Sequence, residues 1–118
     1  MIDSISKKLA PTGELRVGLN MSNFLLVSSK DTNGLPEGVS PDIGKKLAEE
    51  LNVICKLVQF EKPGLLADAV NEDKWDIGNI ACEKEREKSI DFSEPYVNID
   101  ANFIFRKKDN FMSNEEIN

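Results

Sequence analysis

The residues best suited to bind a small charged molecule are Glu83 and Arg86, which follow an apolar segment at residues 75–80. An arginine guanidinium can hold a carboxylate through two parallel N–H···O bonds. A glutamate three residues earlier can bind an ammonium group, support a helix start, or repel a second carboxylate. On residue type alone, the commoner fate of Arg86 is a surface ion pair with Glu83 or Asp91. The residues by themselves leave these alternatives open.

Signatures of catalysis and of metal binding are missing from the sequence. The chain has no histidine for acid–base work, no G-x-S-x-G nucleophile motif and no glycine-rich phosphate loop. Cys55 and Cys82 are too few for a disulfide framework, and without histidine a zinc site would lack a usual ligand type. We therefore expect no catalytic residue, no metal and no cofactor. The two cysteines are interpreted as buried or half-buried free thiols.

Length and charge narrow the class of protein and of partner. The chain has 118 residues, 40% of them hydrophobic, with 21 acidic against 15 basic residues and a net charge of -6. These values indicate one globular domain and exclude a basic surface for nucleic acid or for anionic membranes. No apolar run approaches the roughly 20 residues that span a bilayer, and residues 1–9 lack the pattern of a secretory signal. We expect a soluble chain without membrane insertion.

Strand and helix patterns alternate along the chain. Strands are predicted at residues 14–19, 53–60, 75–80 and 101–105, a hairpin-like excursion at 25–34, and helical segments at 41–51, 63–70 and 83–88. Such alternation produces an α/β fold with an open, mainly parallel sheet flanked by helices. Ligands bind these sheets beyond the carboxyl ends of the strands. That edge would gather residues 20–24, 61–64 and 79–86.

Local signals refine two of these elements. Ser40 is predicted to cap a helix that starts at Pro41, because serine is a good N-cap and proline suits the first helical position. Asn33 followed by glycine predicts a tight turn with positive φ angles. Phe60 and Trp75 lie in predicted strands, where aromatic residues belong to the core more often than to a ligand site.

Three motifs occur in order along the chain: GELRVG at 13–18, GVSPDI at 38–43, and WDIG at 75–78 followed by EKER at 83–86 and IDFSEPY at 90–96. With the order of the segments, they resemble the extracellular solute-binding proteins of polar amino-acid uptake systems, which have the type II periplasmic binding fold. The resemblance covers about residues 9–108. It implies that residues 1–108 are the first of two lobes that close on a solute, and that 109–118 begin the crossover to the second lobe or form a disordered tail.

The resemblance also implies a ligand site. Arg86 occupies the position that binds the α-carboxylate of the solute, which reverses the preference for a surface ion pair. Asn23 stands where many members carry a stacking aromatic, which Phe24 would replace, and Lys62 stands where an aromatic often covers the ligand. Asn79 replaces a small or apolar residue, so a more polar pocket is expected. The expected ligand-binding set is Asn23, Phe24, Lys62, Asn79, Ala81, Glu83 and Arg86.

The function implied is a non-enzymatic substrate-binding component of an ABC transporter, periplasmic or extracellular, that delivers an amino acid or similar small polar solute to a permease. Two alternatives stay open: a dehydratase-like enzyme that uses Glu83 as an acid in a closed cleft, and a ligand-sensing domain of a receptor. Asp91 and Tyr96 are interpreted as structural, Tyr96 through a bonded hydroxyl. A lone lobe would expose apolar surface, so a homodimer formed around residues 101–105 is also expected.

Overall fold

The computed structural model describes residues 2–100, 104, 106 and 107. Helices α1 to α4 span Ile2–Leu9, Val39–Glu50, Pro63–Asp68 and Lys84–Glu87, and a 3-10 turn, Ala69–Asn71, follows α3. Strands β1 to β5 span Glu14–Asn20, Ser29–Lys30, Pro36–Glu37, Ile54–Phe60 and Ile77–Asn79. The predicted strand at 101–105 falls mostly, and the segment 109–118 entirely, outside the described residues.

The predicted parallel sheet is confirmed. Within the described part of the chain it has three strands in the order β4-β1-β5, all parallel, with α2 and α3 connecting them. At the carboxyl end of β1, Leu19 pairs with Asn79 of β5 and Asn20 pairs with Phe60 of β4. All three strands therefore end at one edge of the sheet, and the loops that follow them start side by side.

One face of the sheet is covered by α2. Leu15, Val17 and Leu19 of β1 are fully buried on this face. Helix α2 approaches closely at Gly44, where a Cβ atom would lie 2.7 Å from Cγ1 of Val17. Burial of an aliphatic side chain contributes about 1.5–3 kcal/mol. This face, joined by Ala10, Ala48 and Leu51, forms the main hydrophobic core.

The opposite face is covered by α3. Gly18 of β1 pairs with Gly78 of β5. A Cβ atom at Gly18 would lie 3.3 Å from the Leu66 side chain, and one at Gly78 would lie 2.9 Å from it. Leu66 is fully buried, and the Trp75 indole N–H donates to its carbonyl oxygen at 2.8 Å. Trp75 precedes β5 rather than lying in the predicted strand, and it is half-buried against α3. Two glycines allow α3 to sit close to the sheet.

The start of α2 differs from the sequence prediction. The helix begins at Val39 with Gly38 as N-cap, at φ 143°, where a Cβ atom would lie 2.5 Å from the carbonyl oxygen of Leu26. Ser40 lies inside the first turn and makes no capping bond, so its assignment as the cap was wrong. Its hydroxyl, 2% exposed, shares a 2.8 Å hydrogen bond with the Tyr96 hydroxyl, which confirms a bonded Tyr96.

The tight turn predicted at Asn33 and Gly34 is present in part. The β2 and β3 strands are joined by a five-residue loop, 31–35, in which the Gly34 N–H donates to the Asp31 carbonyl oxygen at 3.0 Å. The Asp31 carboxylate accepts the backbone N–H groups of Asn33 at 2.8 Å and Leu35 at 3.0 Å, and Gly34 has a positive φ of 81°. The aspartate shapes the loop, so Asn33 needs no left-handed conformation.

Candidate functional site

The carboxyl edge of the sheet carries the candidate site. Residues 20–24, 61–64 and 79–86 follow β1, β4 and β5 respectively, as the sequence predicted. The backbone N–H of Met21 donates to the carbonyl oxygen of Phe60 at 2.8 Å, which continues the contact between the first two loops beyond the strands. The loops after β1 and β4 are therefore joined by a backbone hydrogen bond where they leave the sheet.

Arg86 is held against the loop that carries it. Its side chain is 15% exposed; Nη1 donates to the carbonyl oxygen of Ala81 at 2.9 Å, and Nε lies 3.8 Å from Oε2 of Glu83. The carbonyl oxygen of Glu83 accepts the backbone N–H of Arg86 at 3.0 Å at the start of α4. The guanidinium is thus oriented by its own loop, and its ion pair is with Glu83 rather than Asp91.

Glu83 has the surroundings of a solvated carboxylate. Its side chain is 60% exposed, and its backbone is extended where it leads into α4. A carboxylic acid kept neutral for catalysis needs an apolar, water-excluding environment. The described residues around Glu83 do not enclose it in such a pocket. The arrangement suits recognition of charge better than proton transfer.

The loop after β1 presents an aromatic side chain. Oδ1 of Asn23 accepts the backbone N–H groups of Leu25 at 3.1 Å and Leu26 at 3.3 Å, so this side chain shapes the turn. Phe24 stands at the tip of that turn with 83% of its surface exposed, and Leu25 is 69% exposed. The sequence-derived pair therefore divides its roles: Asn23 orders the loop, and Phe24 offers an apolar surface.

An open depression lies beside the loop after β4. Lys62, exposed and with extended backbone, precedes Pro63 at the first position of α3. The depression is lined by Ser22, Lys62, Pro63, Gly64, Leu65 and Asp68. Sequence reasoning missed Ser22 and Asp68, although Ser22 lay within the loop that was singled out. Asn79, at the end of β5, is half-buried, and Ala81 is exposed.

The two thiols differ in environment. Cys55 is half-buried, as expected, and desolvation raises the pKa of its thiol. Cys82 is exposed, so the expectation of a buried or half-buried thiol there was wrong. Its Sγ donates to Oε1 of Glu87 at 3.3 Å, and this hydrogen bond raises the pKa of the Cys82 thiol. The hydrogen bond favours the neutral thiol.

Among the described residues, no helix has the length and apolar character needed to cross a membrane. No group of three or more cysteine, aspartate or glutamate side chains among them is arranged to hold a metal ion.

A parallel sheet flanked by helices, with polar loops gathered at its carboxyl edge, is the architecture of an α/β domain that binds small molecules. The chain belongs to the bacterial extracellular solute-binding proteins, family 3, whose family model matches residues 15–116. The resemblance drawn from the three sequence motifs is thereby confirmed.

Known proteins similar to this chain include binding proteins and an enzyme. The L-arginine-binding protein of Pseudomonas aeruginosa is 33% identical over 95 residues, covering 79% of this chain and 36% of that protein. A single-substitution mutant of the arginine-bound form of domain 1 of the T. maritima arginine-binding protein is 30% identical with a TM-score of 0.64, covering 82% of this chain and 72% of that one. An ancestral cyclohexadienyl dehydratase is 31% identical with a TM-score of 0.65, covering 81% and 38%.

These likenesses confirm the fold as that of a type II periplasmic binding protein domain. The chain spans 36% of the length of the L-arginine-binding protein that it matches.

Proposed function

We propose that this chain provides the first lobe, residues 1–108, of the amino-acid-binding component of an ABC transporter. Its solute would bind at the edge formed by residues 20–24, 61–64 and 79–86, and the full protein would work in the periplasm or outside the cell with a permease as partner. The observation that carries the proposal is Arg86, which is 15% exposed and oriented by the Ala81 carbonyl at 2.9 Å. Family membership supports the solute-binding role.

The proposed mechanism starts from the free side of the Arg86 guanidinium. Nη1 and Nε face Ala81 and Glu83, and within the described residues Nη2 has no hydrogen-bond partner. An α-carboxylate approaching from that side would gain a charge-assisted bond from a donor whose orientation is already fixed. Backbone groups of Asn79 and Ala81 would complete the grip, and the exposed Phe24 ring would cover apolar parts of the solute.

Charge at the site favours a neutral or cationic amino acid. Glu83 lies beside Arg86, and Asp68 contributes a carboxylate to the depression near Lys62. A second carboxylate on the solute would be repelled by these groups, whereas an amine or guanidinium would be attracted. Because two of the named relatives bind arginine, L-arginine is the first amino acid to test.

Calorimetric titration of the chain with L-arginine, L-lysine and L-glutamate tests the proposal. One lobe is a reasonable subject, since domain 1 of the T. maritima protein has an arginine-bound form. We expect L-arginine to bind, and Arg86→Ala to weaken binding by about 10- to 100-fold, as the loss of a charged hydrogen bond implies. Lys84→Ala, in the same helix, is the matched control. Equal affinity of the Arg86→Ala variant and the unsubstituted chain would overturn the role of Arg86.

An enzymatic role has one observation in its favour, the similarity to the ancestral dehydratase. That enzyme is matched over only 38% of its length, and Glu83 is 60% exposed here. We therefore propose binding without catalysis. Dehydration of a cyclohexadienyl acid by the chain, abolished in a Glu83→Gln variant, would favour the enzyme instead.

A further inference from the structure

Arg16 and Asp76 are linked by both side chain and backbone. Nε and Nη2 of Arg16 donate to Oδ2 and Oδ1 of Asp76 at 3.1 and 2.8 Å, in a two-pronged fork. The Arg16 backbone N–H donates to the same carboxylate at 2.8 Å, and the Asp76 backbone N–H donates to the Arg16 carbonyl at 2.8 Å. We refer to this pair as the Arg16–Asp76 clamp. The two residues are 60 positions apart in the sequence.

The clamp is shielded and reinforced. The side chains of Arg16 and Asp76 are 13% and 6% exposed, unlike ordinary surface ion pairs. Asp73 adds its backbone carbonyl at 2.6 Å and its carboxylate at 2.8 Å, and its own φ is 55°. The hydrogen bonds that the Arg16 guanidinium donates to Asp76 first, and then to Asp73, raise the pKa of Arg16. The guanidinium therefore stays charged, and removing Asp76 would leave it shielded from water without its main partner.

The clamp stands at the amino end of the shortest strand in the sheet. Asp76 immediately precedes β5, which pairs with β1 through three residues, from Val17 with Ile77 to Leu19 with Asn79. Strand register is weakly specified by so short a ladder, and a slip of one residue would turn every side chain to the other face. The loop at 79–86, with Arg86, starts where β5 ends. Its placement depends on the register of β5.

We propose that the Arg16–Asp76 clamp is a positioning device for the loop at 79–86. By fixing β5 at its amino end, it sets where the Ala81 carbonyl and the Arg86 guanidinium stand at the carboxyl end. Neither Arg16 nor Asp76 contacts the solute in this proposal. Its effect on solute affinity rests on the proposed function, whereas its effect on the order of the loop does not.

The test compares two clamp variants with a remote core variant. Asp76→Asn keeps the shape but not the charge, Arg16→Lys keeps the charge but not the fork, and Leu47→Ala removes packing in α2, which lies on the other face of the sheet. Amide hydrogen exchange across residues 77–87 and the Kd for L-arginine are measured on each. We expect the clamp variants to accelerate exchange in 77–87 at least tenfold relative to α2 and to weaken L-arginine binding about tenfold.

Leu47→Ala should lower the melting temperature without singling out residues 77–87 and without changing the Kd. Equal exchange profiles for Asp76→Asn and Leu47→Ala would overturn the positioning role, since the clamp would then contribute only general stability. If the unsubstituted chain fails to bind L-arginine, the proposed function fails, while the exchange comparison still decides the positioning role. If Asp76→Asn does not fold, Arg16→Lys decides by the same comparison.

Discussion

The two faces of the central sheet are built in opposite ways. On the α2 face, Leu15 and Val17 of β1 supply buried side chains to a helix. On the α3 face, Gly18 and Gly78 have no side chains, and the Leu66 side chain of α3 packs against their backbone. The α3 face also carries the Arg16–Asp76 clamp, because residues alternate along a strand. Most apolar burial and the Arg16–Asp76 clamp are therefore on different faces, so each can be perturbed separately.

The largest expected loss of stability comes from removing a buried side chain on the α2 face. Leu15→Ala should lower the free energy of unfolding by about 2–5 kcal/mol, because a fully buried leucine leaves a cavity. Leu66→Ala, equally buried, should cost less, since it lies outside the main core cluster and borders two glycines. Urea unfolding followed by circular dichroism measures both. A greater loss for Leu66→Ala would place the main stabilising core on the α3 face.

A smaller effect on stability is expected when a glycine on either face of the sheet is replaced by alanine. A Cβ atom at Gly44 would lie 2.7 and 3.0 Å from the γ-carbons of Val17, a stiff β-branched side chain. At Gly78 it would lie 2.9 Å from the end of the more flexible Leu66 side chain. Gly44→Ala should therefore destabilise by about 1–3 kcal/mol, and Gly78→Ala by less. Thermal unfolding of the two variants shows which one is destabilised more. Equal melting temperatures would contradict the prediction.

The smallest effect concerns the thiols. Thiolate is the reactive form, and both cysteines have pKa values raised above the usual 9.0. Labelling should be slow at pH 7, accelerate above pH 9, and be faster at exposed Cys82 than at Cys55. A Glu87→Gln variant should move the Cys82 profile to lower pH and leave Cys55 unchanged.

The thiol of Cys55 also links stability to pH. Because burial raises its pKa in the folded chain, the folded state favours the neutral thiol. This stabilisation is complete below the pKa of the unfolded chain and is lost as the pH rises through the folded pKa. When the free energy of unfolding is measured by urea titration at increasing alkaline pH, it should fall less steeply for a Cys55→Ser variant than for the unsubstituted chain. An equally steep fall would mean that another group causes the pH dependence.

Alternating patterns were enough to predict the parallel sheet and the loops that meet at its carboxyl edge. The apolar alternation at β1 and the helix that begins at Pro63 are local signals, and the parallel connection follows from their order. Arg86 was found through its motif, and its contact with Ala81 lies within five residues. Features set by neighbours in sequence were therefore accessible.

Features set by distant partners were not accessible from the sequence. Ser40 was predicted to be a cap, and its actual partner, Tyr96, lies 56 residues away; the Arg16–Asp76 pair, 60 residues apart, was not predicted. The role of Asp31 was missed for a different reason: its side chain adds two hydrogen bonds to the turn that the asparagine and glycine suggested. Long-range polar contacts need three-dimensional information.

The positions of Trp75 and Tyr96 have a practical consequence for spectroscopy, because the chain contains one residue of each kind. The indole is bonded on the α3 face and the phenol is bonded to α2. Tryptophan fluorescence can be excited at wavelengths that tyrosine does not absorb, and it shifts to the red as the indole becomes hydrated. The unlabelled protein thus carries a natural chromophore on each side of its sheet, and the loosening of either side can be followed optically.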